Sequence, residues 1–213
     1  MAIRPPSLSS APEKRDLNAA LHAALAEGET LKNALFEDDS LDGLSASMAE
    51  FSGCVFRRVA FTPCDIERVH FMDCRFEGCD LSGFQFREGT LRRVAFESCR
   101  GTGTTFGRMS LRDAAFERCR LNYASFVECR FQDAAFRECD MSRALLHGCT
   151  QKGLALEACR LIQAEIVETR MSGVDLSDCE LDGLRSAVAW LEGTSVSLVQ
   201  APAILGLCGV HVK

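Results

Sequence analysis

Residues 114–123 read Ala114-Ala115-Phe116-Glu117-Arg118 followed by Cys119-Arg120-Leu121-Asn122-Tyr123. Each five-residue unit approximates small, polar, Leu or Phe, polar, polar, and the same unit recurs at Cys139-Asp140-Met141-Ser142-Arg143 and Val174-Asp175-Leu176-Ser177-Asp178. Outward from there, the period holds without insertion or deletion from Leu31 to Val196. Of the 34 positions in that span whose numbers end in 1 or 6, all but Gly101, Gln151 and Ser186 are apolar. Thirteen of the fourteen Phe fall on this one phase, and eleven of the twelve Cys fall two residues before it. A period of five is neither the 3.6 of a helix nor the 2.0 of a strand, so it belongs to a repeat architecture.

On these units the sequence resembles the pentapeptide-repeat family over about three-quarters of its length. The resemblance implies an all-β fold, a right-handed quadrilateral β-helix in which each unit forms one side of a square coil and twenty residues complete a turn. Folding the sequence at twenty is a test, and it aligns Phe36, Phe56, Phe76, Phe96, Phe116 and Phe136 in one column and Phe86, Phe106 and Phe126 in another. Cys79, Cys99, Cys119, Cys139, Cys159 and Cys179 form an unbroken third column. Stacked strands about 4.8 Å apart hold side chains parallel, whereas a disulfide needs Cβ atoms about 3.8 Å apart and zinc needs convergent ligands. These thiols are therefore read as small apolar fillers, with no metal or cofactor.

Two irregularities stand out. Phe84 occupies a small position near Gly101 at a large one, so its ring is expected to fill the space that Gly101 leaves. Gln151 would bury an amide at a cost of about 1 to 3 kcal/mol if unpaired, and between Gly148 and Gly153 the expectation is a distorted turn rather than a bonded side chain.

The ends differ from the repeat. Residues 1–9, with Pro5 and Pro6, carry no periodicity and are expected to be a mobile tail. Ser10 and Glu13 fit a capping box, so a capping helix is expected over 10–28, with Leu17, Ala20, Leu21, Ala24 and Leu25 on its apolar face and Gly28 as its stop. The β-helix is assigned to 29–196. Residues 197–213 are expected to form a short helical cap from Ser197 to Leu205, with Pro202 as a break or kink. Trp190, Leu198, Ile204, Leu205 and Leu207 supply more apolar surface than one cap needs, which marks them as candidates for dimerisation. The resemblance implies the same, since in quinolone-resistance members of the family the C-terminal end is the dimer interface.

With 213 residues, 47% of them hydrophobic, and a formal charge of -6, the chain has one-domain composition. It has no run of eighteen apolar residues and no basic-then-apolar leader, so a cytoplasmic location is expected. An acidic balance argues against direct nucleic-acid binding through phosphates. The four His are scattered, and no phosphate loop, nucleophile elbow or metalloprotease motif is present, so the chain is not expected to be an enzyme.

Charge is distributed unequally around the coil. The side of Phe36, Phe56 and Phe76 collects Glu77, Glu97, Glu117, Glu138, Glu157, Asp175 and Asp178, while the side of Leu31, Phe51 and Phe71 is richer in Lys and Arg. Glu77, Glu97 and Glu117 stack directly. The resemblance to the quinolone-resistance type, nearer the loopless mycobacterial proteins than the loop-bearing Qnr proteins, implies a protein that mimics duplex DNA and binds DNA gyrase or topoisomerase IV. A structural scaffold for an unrelated protein partner is the alternative expectation.

Overall fold

The computed structural model describes residues 3–8, 11–41, 45–61 and 65–210. The chain winds into a right-handed quadrilateral β-helix of about eight turns. Its coils pair in parallel at a register of twenty residues: Phe76 lies beside Phe96, Phe96 beside Phe116 and Phe116 beside Phe136. Some strands run around a corner without a break, as in Gln85–Glu97 and Thr105–Glu117.

The corners explain the period of five. Two residues after a core position the backbone enters the left-handed region, at Asp73 (φ 54°), Arg93 (52°), Asp113 (51°) and Arg118 (52°), none of them glycine. Such a conformation costs an L-residue about 1 to 2 kcal/mol, and it persists because the ladders on both sides over-determine it. On the side of Leu81 and Leu121 the corner is left-handed too, at Gly83 (φ 70°) and Tyr123 (φ 59°), and is further closed as a turn, with the N–H of Phe84 and Ala124 donating to the carbonyls of Leu81 and Leu121 at 3.0 Å.

Inside, the Phe columns stack. Ring centroids of Phe76, Phe96, Phe116 and Phe136 are 4.5 to 4.6 Å apart, and those of Phe86, Phe106 and Phe126 are 4.7 Å apart. The strand spacing itself dictates this parallel stacking, and T-shaped contacts such as Phe106 to Phe116 join one column to the next.

Helix α1, Leu17–Glu27, covers the first coil with Leu17 and Leu21 buried. The sequence expectation of a helix over 10–28 is corrected here: Ser10 lies outside the described residues, and Glu13–Lys14 forms a strand beside Ala34 and Leu35. Asp16 is the cap instead, accepting from the N–H of Ala19 at 2.8 Å. Gly28 (φ 67°) ends the helix as expected, with the N–H of Glu29 reaching the Ala24 carbonyl at 2.8 Å. At the other end a single 3-10 turn, Leu198–Gln200, leads into helix α2, Ala201–Leu207, whose first turn accommodates Pro202.

Three further expectations are corrected. Residues 3–8 are not a loose tail, because the N–H groups of Arg4 and Ser7 donate to Asp113 and Asp73 on the coil surface. Gln151 does not distort its coil: it keeps register with Phe131, its Nε2 donates to the carbonyls of Ser172 (3.0 Å) and Arg170 (3.4 Å), and its Oε1 accepts from Leu154 N–H. The backbone of the next coil thus satisfies the amide. Phe84 packs against Phe61 and Phe86, whereas the atoms nearest the missing Gly101 side chain are Thr104 Oγ1 and Leu121 Cδ2.

Candidate partner-binding surfaces

The small inward column carries more chemistry than filling. Each cysteine thiol donates to the carbonyl of the core residue 23 positions earlier: Cys79 to Phe56 (3.3 Å), Cys99 to Phe76 (3.5 Å), Cys119 to Phe96 (3.5 Å), Cys139 to Phe116 (3.4 Å) and Cys179 to Leu156 (3.4 Å). Thr104 and Thr169 make the same bond to Leu81 and Leu146. Thr104 and Thr169 occupy the same small phase on other sides of the coil, so a donor recurs at this phase alongside donor-free Ala114, Ala124 and Ala134, and the threonines were the sequence signal for it. Burial pushes the Cys74 thiol well above its usual range, and Cys99 is raised by its neighbours Cys119 and Cys79 and by burial. Cys74 and Cys99 are thus protonated structural thiols.

The acidic side is less acidic than the sequence implied. Glu77, Glu97 and Glu117 do fall in one register, as half-buried residues on adjacent coils. Each has a guanidinium beside it. Arg57 Nε donates to Glu77 at 2.8 Å and its Nη1 to Glu37 at 3.2 Å. Arg75 sits between Glu77 and Glu97 at 3.7 and 3.8 Å. Arg137 bridges Glu117 at 3.5 Å and Glu157 at 2.8 Å, and Arg118 lies 3.8 Å from Glu117. Lys14 and Arg57 together hold the Glu37 carboxyl below its usual range. Reading Glu77, Glu97 and Glu117 as a bare column missed these residues, although Arg57 and Arg137 share the repeat phase of the glutamates.

Of the other acidic candidates, Glu138, Asp175 and Asp178 are not part of that column. Glu138 is exposed at a corner with φ 51°. Asp175 caps its own turn by accepting from Ser177 N–H at 2.9 Å, its pKa is depressed by the Ser177 hydroxyl and then by that N–H, and Asp178 Oδ1 meets Cys179 Sγ at 3.6 Å. Glu157 continues the column one coil beyond Arg137.

At the C-terminal end the apolar candidates divide into two groups. Trp190, Ile204 and Leu207 pack against the chain's own core and close its last coil. Leu198 and Leu205 face outward, at 89% and 40% exposure, together with Val199 at 89% and Val210. Val199 and Val210 belong to the outward surface as well, and the sequence pattern did not separate them from the cap.

Comparison with known proteins bears on the fold. The family model for the pentapeptide repeat region matches residues 69–144 and 90–166, and the model for nine copies of the pentapeptide repeat matches residues 47–85. No curated protein matches the sequence significantly. Among solved structures, HetL, a pentapeptide repeat protein involved in heterocyst differentiation regulation from the cyanobacterium Nostoc sp. strain PCC 7120, is similar over 85% of this chain and 94% of its own, at 15% identity and a TM-score of 0.54. Full-length QnrB1, a plasmid-mediated fluoroquinolone resistance protein, aligns over 93% of this chain and 96% of its own at 21% identity, with a TM-score of 0.48. Five-residue periodicity, the stacked Phe and Cys columns and the family matches agree, and the chain belongs to the pentapeptide-repeat family.

Proposed function

We propose that the chain is a non-enzymatic, cytoplasmic interaction protein that offers one long side of its rod to a protein partner, and that this side is the acidic one. The observation that carries the reading is the register of Glu77, Glu97 and Glu117, which places a carboxylate on three successive coils. One charge per coil, about every 4.8 Å, approaches the 3.4 Å axial spacing of phosphates along one strand of duplex DNA. DNA gyrase or topoisomerase IV, which bind duplex DNA on a basic saddle, are accordingly the concrete candidates, with the rod as a DNA mimic. Arg57, Arg75, Arg118 and Arg137 offset part of the charge, so such a partner would have to supply acidic groups of its own opposite them.

The test is a gyrase supercoiling assay, with and without a quinolone, using the intact chain and a Glu77→Lys/Glu97→Lys/Glu117→Lys variant. The reading expects an effect of the intact chain at micromolar concentration that falls steeply with salt and vanishes in the variant. No effect of the intact chain removes the topoisomerase proposal and leaves a scaffold for an unrelated protein. An effect unchanged in the variant removes the acidic side.

A homodimer through the C-terminal end is proposed alongside it, on the separate observation that Leu198 and Val199 stand almost fully in solvent. Adjacent apolar side chains exposed at the end of a rod form a self-complementary patch for a two-fold interface.

A further inference from the structure

Residues 3–8 lie lengthwise on the side of the coil that carries Asp73, Arg93 and Asp113, one residue from each of three successive turns. The N–H of Ser7 donates to Asp73 Oδ1 at 2.9 Å, and the N–H of Arg4 donates to Asp113 Oδ1 at 3.2 Å. Between them Arg93 clamps Asp73, with Nε at 2.6 Å from Oδ1 and Nη2 at 2.5 Å from Oδ2. The aspartate side chains are only 12% and 6% exposed, whereas Arg4 is 70% exposed. Both hydrogen bonds are thus made by the backbone of the segment, and the largely exposed Arg4 side chain adds only a long ion pair, Nε to Asp113 Oδ1 at 4.0 Å.

The spacing has a physical explanation. Pro5 and Pro6 have φ fixed near -65°, and a residue that precedes proline is driven out of the helical region, so residues 4–7 favour the polyproline II conformation. That helix has three residues per turn and rises 3.1 Å per residue, which puts the N–H groups of residues i and i+3 on the same side about 9 Å apart. Two coils of stacked strands span about 9 to 10 Å. The two residues in between are prolines, which have no N–H to leave unpaired. A β-strand could not make this fit, because its period of two turns the N–H groups of i and i+3 to opposite sides.

We propose that the Asp73–Arg93–Asp113 side is a binding site for an extended proline-rich segment, in which a residue with a free N–H flanks a Pro-Pro pair on each side, and that residues 4–7 are its resident occupant. The side recognises the spacing of two N–H groups, so a segment of another protein with the same spacing competes for it. A tether of this length supplies an effective concentration on the order of millimolar, which keeps the site filled until such a partner is present in excess or binds more tightly. The site is independent of the acidic side and of any topoisomerase.

Full-length Arg4→Pro/Ser7→Pro protein tests this, since it removes both donors and leaves the surface of the coil untouched. The probe is a fluorescent synthetic peptide of residues 3–8, followed by anisotropy. Saturable binding to the variant with a Kd of about 0.1 mM or tighter, and at least about tenfold weaker binding to the unaltered chain, are expected. Replacing both prolines of the peptide by glycine should weaken binding about tenfold, and Asp73→Ala/Asp113→Ala in the variant should abolish it. Absence of saturation by about 1 mM peptide, or equal affinity of the proline and glycine peptides, overturns the proposal. The glycine peptide alters nothing in the protein and stands even where the aspartate variant folds poorly.

Discussion

The thiol of Cys119 donates to the carbonyl oxygen of Phe96, 3.5 Å away and 23 residues earlier in sequence, in the coil below. The same residue also lies 3.4 Å from the carbonyl of Glu117. This bond is buried, so the Phe96 carbonyl has no water to replace the thiol, and an unpaired buried acceptor costs about 1 to 3 kcal/mol. Cys119→Ala should therefore lose about 1 to 2 kcal/mol, from the unpaired carbonyl and the missing sulfur volume together. Cys119→Ser keeps a donor, as Thr104 does toward Leu81 at 2.6 Å, and should retain more stability than the alanine variant. Urea denaturation of both decides it, and a serine variant weaker than alanine would show that volume alone matters.

Phe116 lies between Phe96 at 4.5 Å and Phe136 at 4.6 Å, with Phe106 edge-on at 6.0 Å. Phe116→Ala should cost about 3 to 5 kcal/mol, because neighbouring rings held by two ladders cannot collapse into the void. Its sequence neighbour Glu117 points outward to Arg137 and Arg118, and Glu117→Ala should cost less than about 1 kcal/mol. Thermal denaturation of the pair measures the difference, and equal losses would contradict the assigned faces.

Much of this was legible because a period of five leaves little freedom. Once Phe116 and Phe136 are twenty apart, parallel stacking follows from strand spacing, and so do the register of the Cys column and the burial of Leu17 and Leu21 under the first coil. What the period does not specify is how long polar side chains settle. Arg57 reaches both Glu37 and Glu77, and Arg75 lies between two glutamates, so the acidic column is a mixed ladder. Gln151 bonds to the next coil at residues 170 and 172, partners that local spacing does not indicate. The close approach at Gly89 was equally hidden: a Cβ there would lie 1.9 Å from the Val69 carbonyl oxygen, a backbone atom of the preceding coil that cannot give way. The seating of residues 3–8 depends on Asp73 and Asp113, which carry no mark in the repeat beyond a corner position.

Asp80 carries a pH dependence with a definite sign. Its carboxylate is held by Arg100 Nη2, against the opposing effect of burial and with help from Ser82 N–H, and its pKa falls from 3.8 to about 2. The folded state thus binds this proton less readily than the unfolded chain, so the contribution is complete above about pH 4 and is lost as pH falls toward 2. With Arg100 61% exposed, solvent screens the pair and the effect is modest. The urea midpoint of the intact chain should drop between pH 4 and pH 2, and Asp80→Asn should flatten part of that drop. A variant that follows the parent over the whole range would show that Asp80 does not contribute.

The two groups of apolar residues at the C-terminal end should separate by experiment. Leu198 and Val199 are each 89% exposed, whereas Ile204 and Leu207 pack against the core at the last coil. If the end is a homodimer interface, Leu198→Glu/Val199→Glu places charges within a patch that pairing would desolvate, at a cost of several kcal/mol per unpaired ion. Sedimentation velocity should then show the intact chain as a dimer and this variant as a monomer with an unchanged thermal midpoint at low protein concentration. Ile204→Glu/Leu207→Glu should instead lower that midpoint, because it opens the end of the stacked core whatever the oligomeric state. A chain that sediments as a monomer at about 100 µM, where even a micromolar interface would be saturated, would leave Leu198 and Val199 without a partner in a second copy.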